Sequence, residues 1–140
     1  MAKGLMDIDV FNKSIQNSAQ ILEPYGIDLL NLILSDNEEL LAPLLHSSVG
    51  VTALQIALID LLRALDIRPD GFIGHSSGEL GCGYIDEVLD AREMLLFAYW
   101  RGKCVEMAKL PKGLMAAVGM SWEDISKRCP QGISWKYHAH

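Results

Sequence analysis

The sequence has few basic residues and no cluster of them. It contains 12 lysines and arginines against 18 acidic residues, and its formal net charge is -6. The adjacent basic pair Lys127-Arg128 lies at the end of a predicted helix, where it favours the helix dipole. Because nucleic-acid binding depends on the neutralisation of phosphates, this charge balance argues against a nucleic-acid binder.

Cysteine is scarce and shows no pattern. The residues Cys82, Cys104 and Cys129 are odd in number and widely spaced, so neither a disulfide framework nor a zinc site is predicted. Residues 1–10 lack the apolar core of a secretory signal. We therefore expect a cytoplasmic protein with reduced thiols and no metal.

Charged side chains are missing from residues 40–59, a length that could span a bilayer. The segment nevertheless contains polar groups and helix breakers, which are Pro43, His46, Ser47, Ser48, Gly50, Thr52 and Gln55. Each polar group would cost free energy in lipid, so a turn followed by a buried helix is favoured and no membrane association is expected.

The 140 residues present are half hydrophobic and one fifth charged, which is an ordinary composition for one globular domain. Apolar spacing and capping residues predict helices. We place them at residues 9–22 with Asp9 as N-cap, 27–34, 51–65 in the core, 90–108 capped by Asp90, and 122–128 after a Ser121–Asp124 capping box.

Short apolar runs between turn residues predict strands at 71–74, 113–120 and 133–138. The fold class is therefore predicted to be α/β. The last strand–helix–strand unit stops at its second strand, and we expect the chain to be truncated.

The stretch "DGFIGHSSGELGCGY", residues 70–84, places Ser76 between Gly74 and Gly78. A nucleophile elbow consists of a strand, followed by the motif Gly-x-Ser-x-Gly, followed by a helix. Such a serine sits in a strained backbone conformation, and the close approach of strand and helix requires flanking residues without side chains. The helix beginning near Ser77 would direct its backbone N–H groups at an oxyanion.

A glycine-rich structural loop remains the alternative, because the bare motif also arises by chance. The following "GELGCG" has the wrong order for a dinucleotide fingerprint, so cofactor binding is not predicted. A nucleophilic serine needs a base, usually histidine. None of the four histidines, which are His46, His75, His138 and His140, is convincing in this role.

Four segments together resemble the malonyl/acetyltransferase domain of animal type I fatty acid synthase, with the insect type most similar. They are "VTALQIALIDLLRALDIRPDG", "GHSSGELGCGYID", "AYWRGKC" and "LPKGLMAAVGMSWEDISKRCP". The resemblance covers nearly the whole chain. It implies that residues 1–110 are part of an α/β-hydrolase-like large subdomain, and that residues 111–140 begin a ferredoxin-like small subdomain.

The resemblance also implies the chemistry. Ser76 would attack the thioester of malonyl- or acetyl-coenzyme A, and the backbone N–H of Ser77 would bind the oxyanion. The acyl group would then pass to the phosphopantetheine thiol of an acyl carrier protein, beside neighbouring synthase domains. Arg101 in "YWRG" would bind the malonyl carboxylate, a task for which planar guanidinium is suited. A helix-end arginine with its charge in solvent is the alternative. No bound cofactor is implied.

Three departures from the family affect this interpretation. The family's catalytic histidine lies downstream of residue 140, and its glutamine-bearing oxyanion loop lies upstream of residue 1. Ser77 stands where the family usually has leucine, which keeps the backbone donor. The chain is therefore expected to be a fragment of the domain. A serine esterase of the α/β-hydrolase type and a catalytically inert fragment stay as alternatives, and the preferred acyl group stays open.

Overall fold

The computed structural model describes residues 2–109, 116 and 118–130. Its contacts divide the chain into two compact units, Met1–Leu110 and Pro111–His140, and each is described by itself. The assignment of these parts to hydrolase-like and ferredoxin-like subdomains stays a prediction. The predicted strand at 133–138 lies outside the described residues. So do four of the eight residues of the strand predicted at 113–120, and the four described residues of that segment form no strand.

The described part of the first unit is helical. Its α-helices are α1 (Asp9–Leu22), α2 (Leu29–Leu34), α3 (Leu44–Ala64), α4 (Gly78–Ile85) and α5 (Ala91–Met107). Three short 3₁₀ segments, Ala2–Leu5, Glu23–Tyr25 and Glu38–Leu41, join or precede them. In the second unit, α6 (Trp122–Arg128) follows Ser121, whose Oγ accepts a hydrogen bond from the Asp124 N–H at 3.2 Å.

The sequence predicts most of these helices well, but α3 begins at Leu44, seven residues before the start predicted at residue 51. The predicted bounds of α1 and α6 are confirmed, and those of α5 agree within one residue. Asp90 and Glu93 form a reciprocal capping box at the start of α5. The prediction of Asp9 as an N-cap is wrong: the N-cap residue is Ile8, and Asp9 begins the helix, where its charge still favours the dipole.

Helix α3 is the centre of the first unit, with α1, α4 and α5 packed against it. The core combines the inner face of α1, represented by Phe11 and Ile15, with Ile56 of α3 and Leu95 of α5, all fully buried. A Cβ on Gly102 would lie 2.6 Å from the Cα of Leu45. This close approach of α3 and α5 fixes the helix that carries Arg101.

The prediction that α3 lies in the core is confirmed only in part. Val51, Leu58 and Leu62 are 46%, 39% and 42% exposed. By length and composition α3 is the one described helix that could cross a membrane, and 39% of its apolar window is buried. Core helices pass the same test, and the contacts of α3 with α1 and α5 support the predicted core role.

The strand predicted at residues 71–74 is wrong. These residues form no regular element, and no strand occurs anywhere in the described ranges. A strand exists through hydrogen bonds to a neighbouring strand, and no described segment pairs with this one. Ile73 is fully exposed and Phe72 is 41% exposed. The described residues therefore do not show the predicted α/β class, although the segment leads into the predicted turn.

Candidate functional site

Ser76 lies at a strained bend immediately before α4. Its φ of +56° is in the left-handed region, which residues other than glycine, asparagine and aspartate rarely adopt. Its side chain is exposed, and Ser77 is the N-cap residue of α4. Strain of this kind persists only where the surroundings impose it, and it is concentrated at functional sites.

The two glycines that flank Ser76 differ in how much space surrounds them. A Cβ on Gly74 would lie 2.5 Å from the backbone carbon and oxygen of Gly78 and 2.6 Å from the Glu79 nitrogen. A Cβ on Gly78 would meet nothing within 4 Å. The need for a residue without a side chain, predicted for both positions, is therefore present at Gly74 and not at Gly78.

Gly74→Ala is expected to destabilise the bend, whereas Gly78→Ala is the matched control. The methyl group of an alanine at position 74 would meet backbone atoms that cannot move without opening the elbow. We expect this clash to lower the free energy of unfolding by about 1–3 kcal/mol. Gly78→Ala is expected to be neutral or stabilising, because alanine favours the helix. Urea unfolding followed by circular dichroism measures both free energies of unfolding. Equal effects of the two changes would contradict the packing described.

Successive hydrogen bonds close the bend onto α4. The N–H of Gly78 donates to the His75 carbonyl at 2.9 Å, and that of Glu79 donates to the Ser76 carbonyl at 3.2 Å. No described residue accepts a hydrogen bond from the N–H of Ser77. This donor lies at the positive end of a helix, so it is available to an anion formed at the Ser76 side chain.

Ser76, Ser77 and Arg101 line one open cleft of about 920 Å³. α4 and the residue before it contribute Ser77, Glu79 and Leu80, and Leu89 follows α4. The opposite wall is one face of α5, whose lining residues recur at helical spacing and are Glu93, Leu96, Phe97, Trp100, Arg101 and Cys104. The structure thus places the predicted nucleophile and the predicted carboxylate-binding residue in the same cleft.

The charge of Arg101 is not neutralised by the described residues. Its side chain is exposed, and none of the described ion pairs includes it. The carboxylate of Glu93 accepts a hydrogen bond from the Asp90 N–H at 2.9 Å and is occupied in the capping box. A guanidinium without an internal partner can bind the carboxylate of a ligand.

Sequence reasoning missed the apolar wall of the cleft. Phe97 and Trp100 are 58% and 52% exposed, although large aromatic side chains are usually covered. Trp100 packs edge-on against buried Tyr99, with ring centroids 5.3 Å apart, which holds the indole in place. The sequence did offer one signal for this wall, because Phe97 and Trp100 lie on the same predicted helix as Arg101, four residues and one residue before it.

None of the histidines within the described ranges lines the cleft. His46 lies in the first turn of α3, with its Nδ1 2.9 Å from the Leu40 carbonyl oxygen. His75 precedes Ser76 and is exposed, while His138 and His140 lie outside the described residues. Over the same described ranges, no group of three or more His, Cys, Asp or Glu side chains could hold a metal.

Comparison with known proteins identifies fungal relatives. The chain is 41% identical over 130 residues to the reducing polyketide synthase rdc5 of Metacordyceps chlamydosporia, matching 91% of this chain. It is 36% identical over 135 residues to the reducing polyketide synthase hmp8 of Hypomyces subiculosus, again matching 91%. It is 31% identical over 141 residues to the highly reducing polyketide synthase alnA of Emericella nidulans, matching 94%.

The chain covers only 5% of the length of rdc5 and 6% of the lengths of hmp8 and alnA. These relatives support the acyl transferase resemblance but not the animal fatty acid synthase type. The acyl transferase domain model matches residues 1–140. The chain therefore belongs to the acyl transferase domain family.

Proposed function

We propose that this chain carries the nucleophile and the carboxylate-binding residue of an acyltransferase. It would move malonyl-type acyl groups from coenzyme A to the phosphopantetheine thiol of an acyl carrier protein within a multidomain synthase. The observation that carries the proposal is the strained Ser76 at the N-terminus of α4, which lines the same cleft as Arg101, a residue that forms no ion pair with the described residues.

The first half-reaction forms an acyl-serine. Ser76 Oγ attacks the thioester carbonyl carbon, and the N–H of Ser77 donates a hydrogen bond to the developing oxyanion. The carbon–sulfur bond then breaks, and coenzyme A leaves as the thiol after it takes up a proton. Arg101 pairs with the free carboxylate of the malonyl group and orients it.

The second half-reaction reverses these roles. The phosphopantetheine thiol attacks the acyl-serine carbonyl, and the Ser76 hydroxyl is released with its proton restored. Both steps need a base, and the resemblance implies that a histidine beyond residue 140 supplies it. Phe97 and Trp100 would exclude water from the acyl-serine, which favours transfer over hydrolysis.

The names of the relatives favour a polyketide product over a fatty acid. Fatty acid synthesis is the alternative, and deletion of the gene followed by metabolite analysis distinguishes the two. Loss of a polyketide with unchanged fatty acids supports the proposal, whereas loss of fatty acids supports the alternative.

The reaction itself is tested on the protein with all of the chain that its gene encodes. After incubation with malonyl-coenzyme A, mass spectrometry of peptides is expected to locate a malonyl group on Ser76. Addition of phosphopantetheine-bearing acyl carrier protein should then transfer the group to the carrier. Rapid release of free malonate without transfer would indicate a serine esterase, and the absence of any adduct would indicate an inert chain.

A further inference from the structure

A hydrogen-bonded cluster holds the end of α4 that is distant from Ser76. The Tyr84 hydroxyl donates to Asp60 Oδ1 at 2.7 Å, and Ser14 Oγ donates to Asp60 Oδ2 at 2.6 Å. Asp60 lies on α3, Tyr84 on α4 and Ser14 on α1, so one carboxylate joins three helices. We call Asp60, Arg63 and Tyr84 the α4 clamp.

The hydrogen bond from Tyr84 to Asp60 has a fixed direction. Burial, together with the hydrogen bond to Asp60, raises the pKa of Tyr84 to about 12. The phenol is therefore protonated and donates at neutral pH, and the carboxylate accepts. A hydrogen bond to a charged, partly buried acceptor is stronger than one between neutral groups.

Arg63 binds the last turn of α4 directly. Its Nη2 donates to the Tyr84 and Ile85 carbonyl oxygens, at 3.0 Å in both cases. Its guanidinium carbon also lies 5.0 Å from the centroid of the Tyr84 ring. The last carbonyls of a helix lack partners inside the helix, and a cation there also favours the helix dipole. Arg63 thus ties the C-terminus of α4 to α3.

The position of Ser76 depends on the position of α4. The helix has 8 residues, so it is about 12 Å long. A helix this short is stable in water only through its contacts with the rest of the fold. Its first turn continues from the elbow, since the Glu79 and Leu80 N–H groups donate to the Ser76 and Ser77 carbonyls. A shift of α4 would therefore move the nucleophile and the oxyanion donor together.

None of the clamp residues lines the cleft, so the clamp would act without touching the substrate. We propose that the α4 clamp is a positioning device that keeps the Ser76 hydroxyl and the Ser77 N–H in reactive geometry. This role rests on the acyltransfer function proposed above.

Hydrogen exchange tests the positioning itself. Tyr84→Phe removes the hydroxyl but keeps the ring, and Arg63→Met removes the carbonyl contacts but keeps an aliphatic chain. Both variants are expected to speed amide exchange at Gly78–Leu80 by about tenfold, while amides in α1 exchange at the wild-type rate. Arg68→Met is the matched control, because Arg68 is exposed and pairs only with Asp66 among the described residues.

Acylation kinetics test the consequence. The rate constant for malonyl transfer to Ser76 at saturating malonyl-coenzyme A is expected to fall about tenfold or more in Tyr84→Phe and Arg63→Met. The half-saturating concentration should stay unchanged, since the clamp does not contact the thioester. Arg63→Lys should restore part of the rate, because it returns one donor and the charge.

The outcomes separate this proposal from the proposed function. If wild-type protein is not acylated at Ser76, the proposed function fails, and the exchange pattern still decides whether the clamp orders the elbow. If amide exchange in Tyr84→Phe and Arg63→Met were accelerated equally in α1 and at Gly78–Leu80, the proposed role of the clamp would be overturned. An acylation rate constant that is unchanged in these variants would also overturn it. Unfolding of the whole chain by Tyr84→Phe would overturn it too, because the cluster would then stabilise the core rather than α4.

Discussion

Ser76→Ala is expected to abolish the acyl-serine adduct. Alanine removes the hydroxyl oxygen that is proposed to form the ester, while the left-handed backbone and the Ser77 N–H stay in place. Loss of a catalytic nucleophile typically lowers the rate by at least about 10⁴-fold, with the remainder due to binding and oxyanion donors. The measurement is peptide mass spectrometry after incubation of the full gene product with malonyl-coenzyme A.

Ser77→Ala is the matched control for this experiment. Ser77 lines the same cleft, but its proposed role uses the backbone N–H, which alanine retains. We expect Ser77→Ala to form the adduct at a rate close to that of the wild type. An adduct that persists in Ser76→Ala, or that disappears only in Ser77→Ala, would remove Ser76 from the nucleophile role.

The helices could be predicted because their signals are local. Asp90 and Glu93 lie three residues apart and cap α5 through their own backbone, whatever the rest of the fold does. Apolar spacing in the same way defines α1, whose inner face is buried. The positive φ of Ser76 also follows from a local motif, since the elbow requires it.

Apart from the N-cap of α1 and the start of α3, the errors concern features that depend on distant partners. Residues 71–74 have the composition of a buried strand, but a strand needs another segment beside it, and the described residues offer none. The motif does not distinguish Gly74 from Gly78, because only the path of the following helix brings backbone to 2.5 Å from one of them. Phe97 and Trp100 were missed because the cleft forms only when α5 packs beside α4.

Arg101→Ala is expected to weaken malonyl loading far more than acetyl loading. Hydrogen bonds to a charged group contribute about 1.5–3 kcal/mol, so malonyl loading should fall about 10- to 100-fold. Acetyl has no free carboxylate and should lose little. The malonyl loading rate of Arg101→Lys should lie between those of the wild type and Arg101→Ala. An ammonium group keeps the charge but cannot bind both carboxylate oxygens in a planar, bidentate arrangement. Initial rates of acyl-serine formation with the two thioesters measure the ratio.

Arg92→Ala is the control on the same helix. Arg92 is exposed, lies nine residues before Arg101 and therefore points about half a turn away from the cleft. It should change neither loading rate, which separates a local interaction from the general loss of a positive charge on α5. Equal losses of malonyl and acetyl loading in Arg101→Ala would contradict carboxylate binding. They would instead make Arg101 a structural residue of the cleft wall.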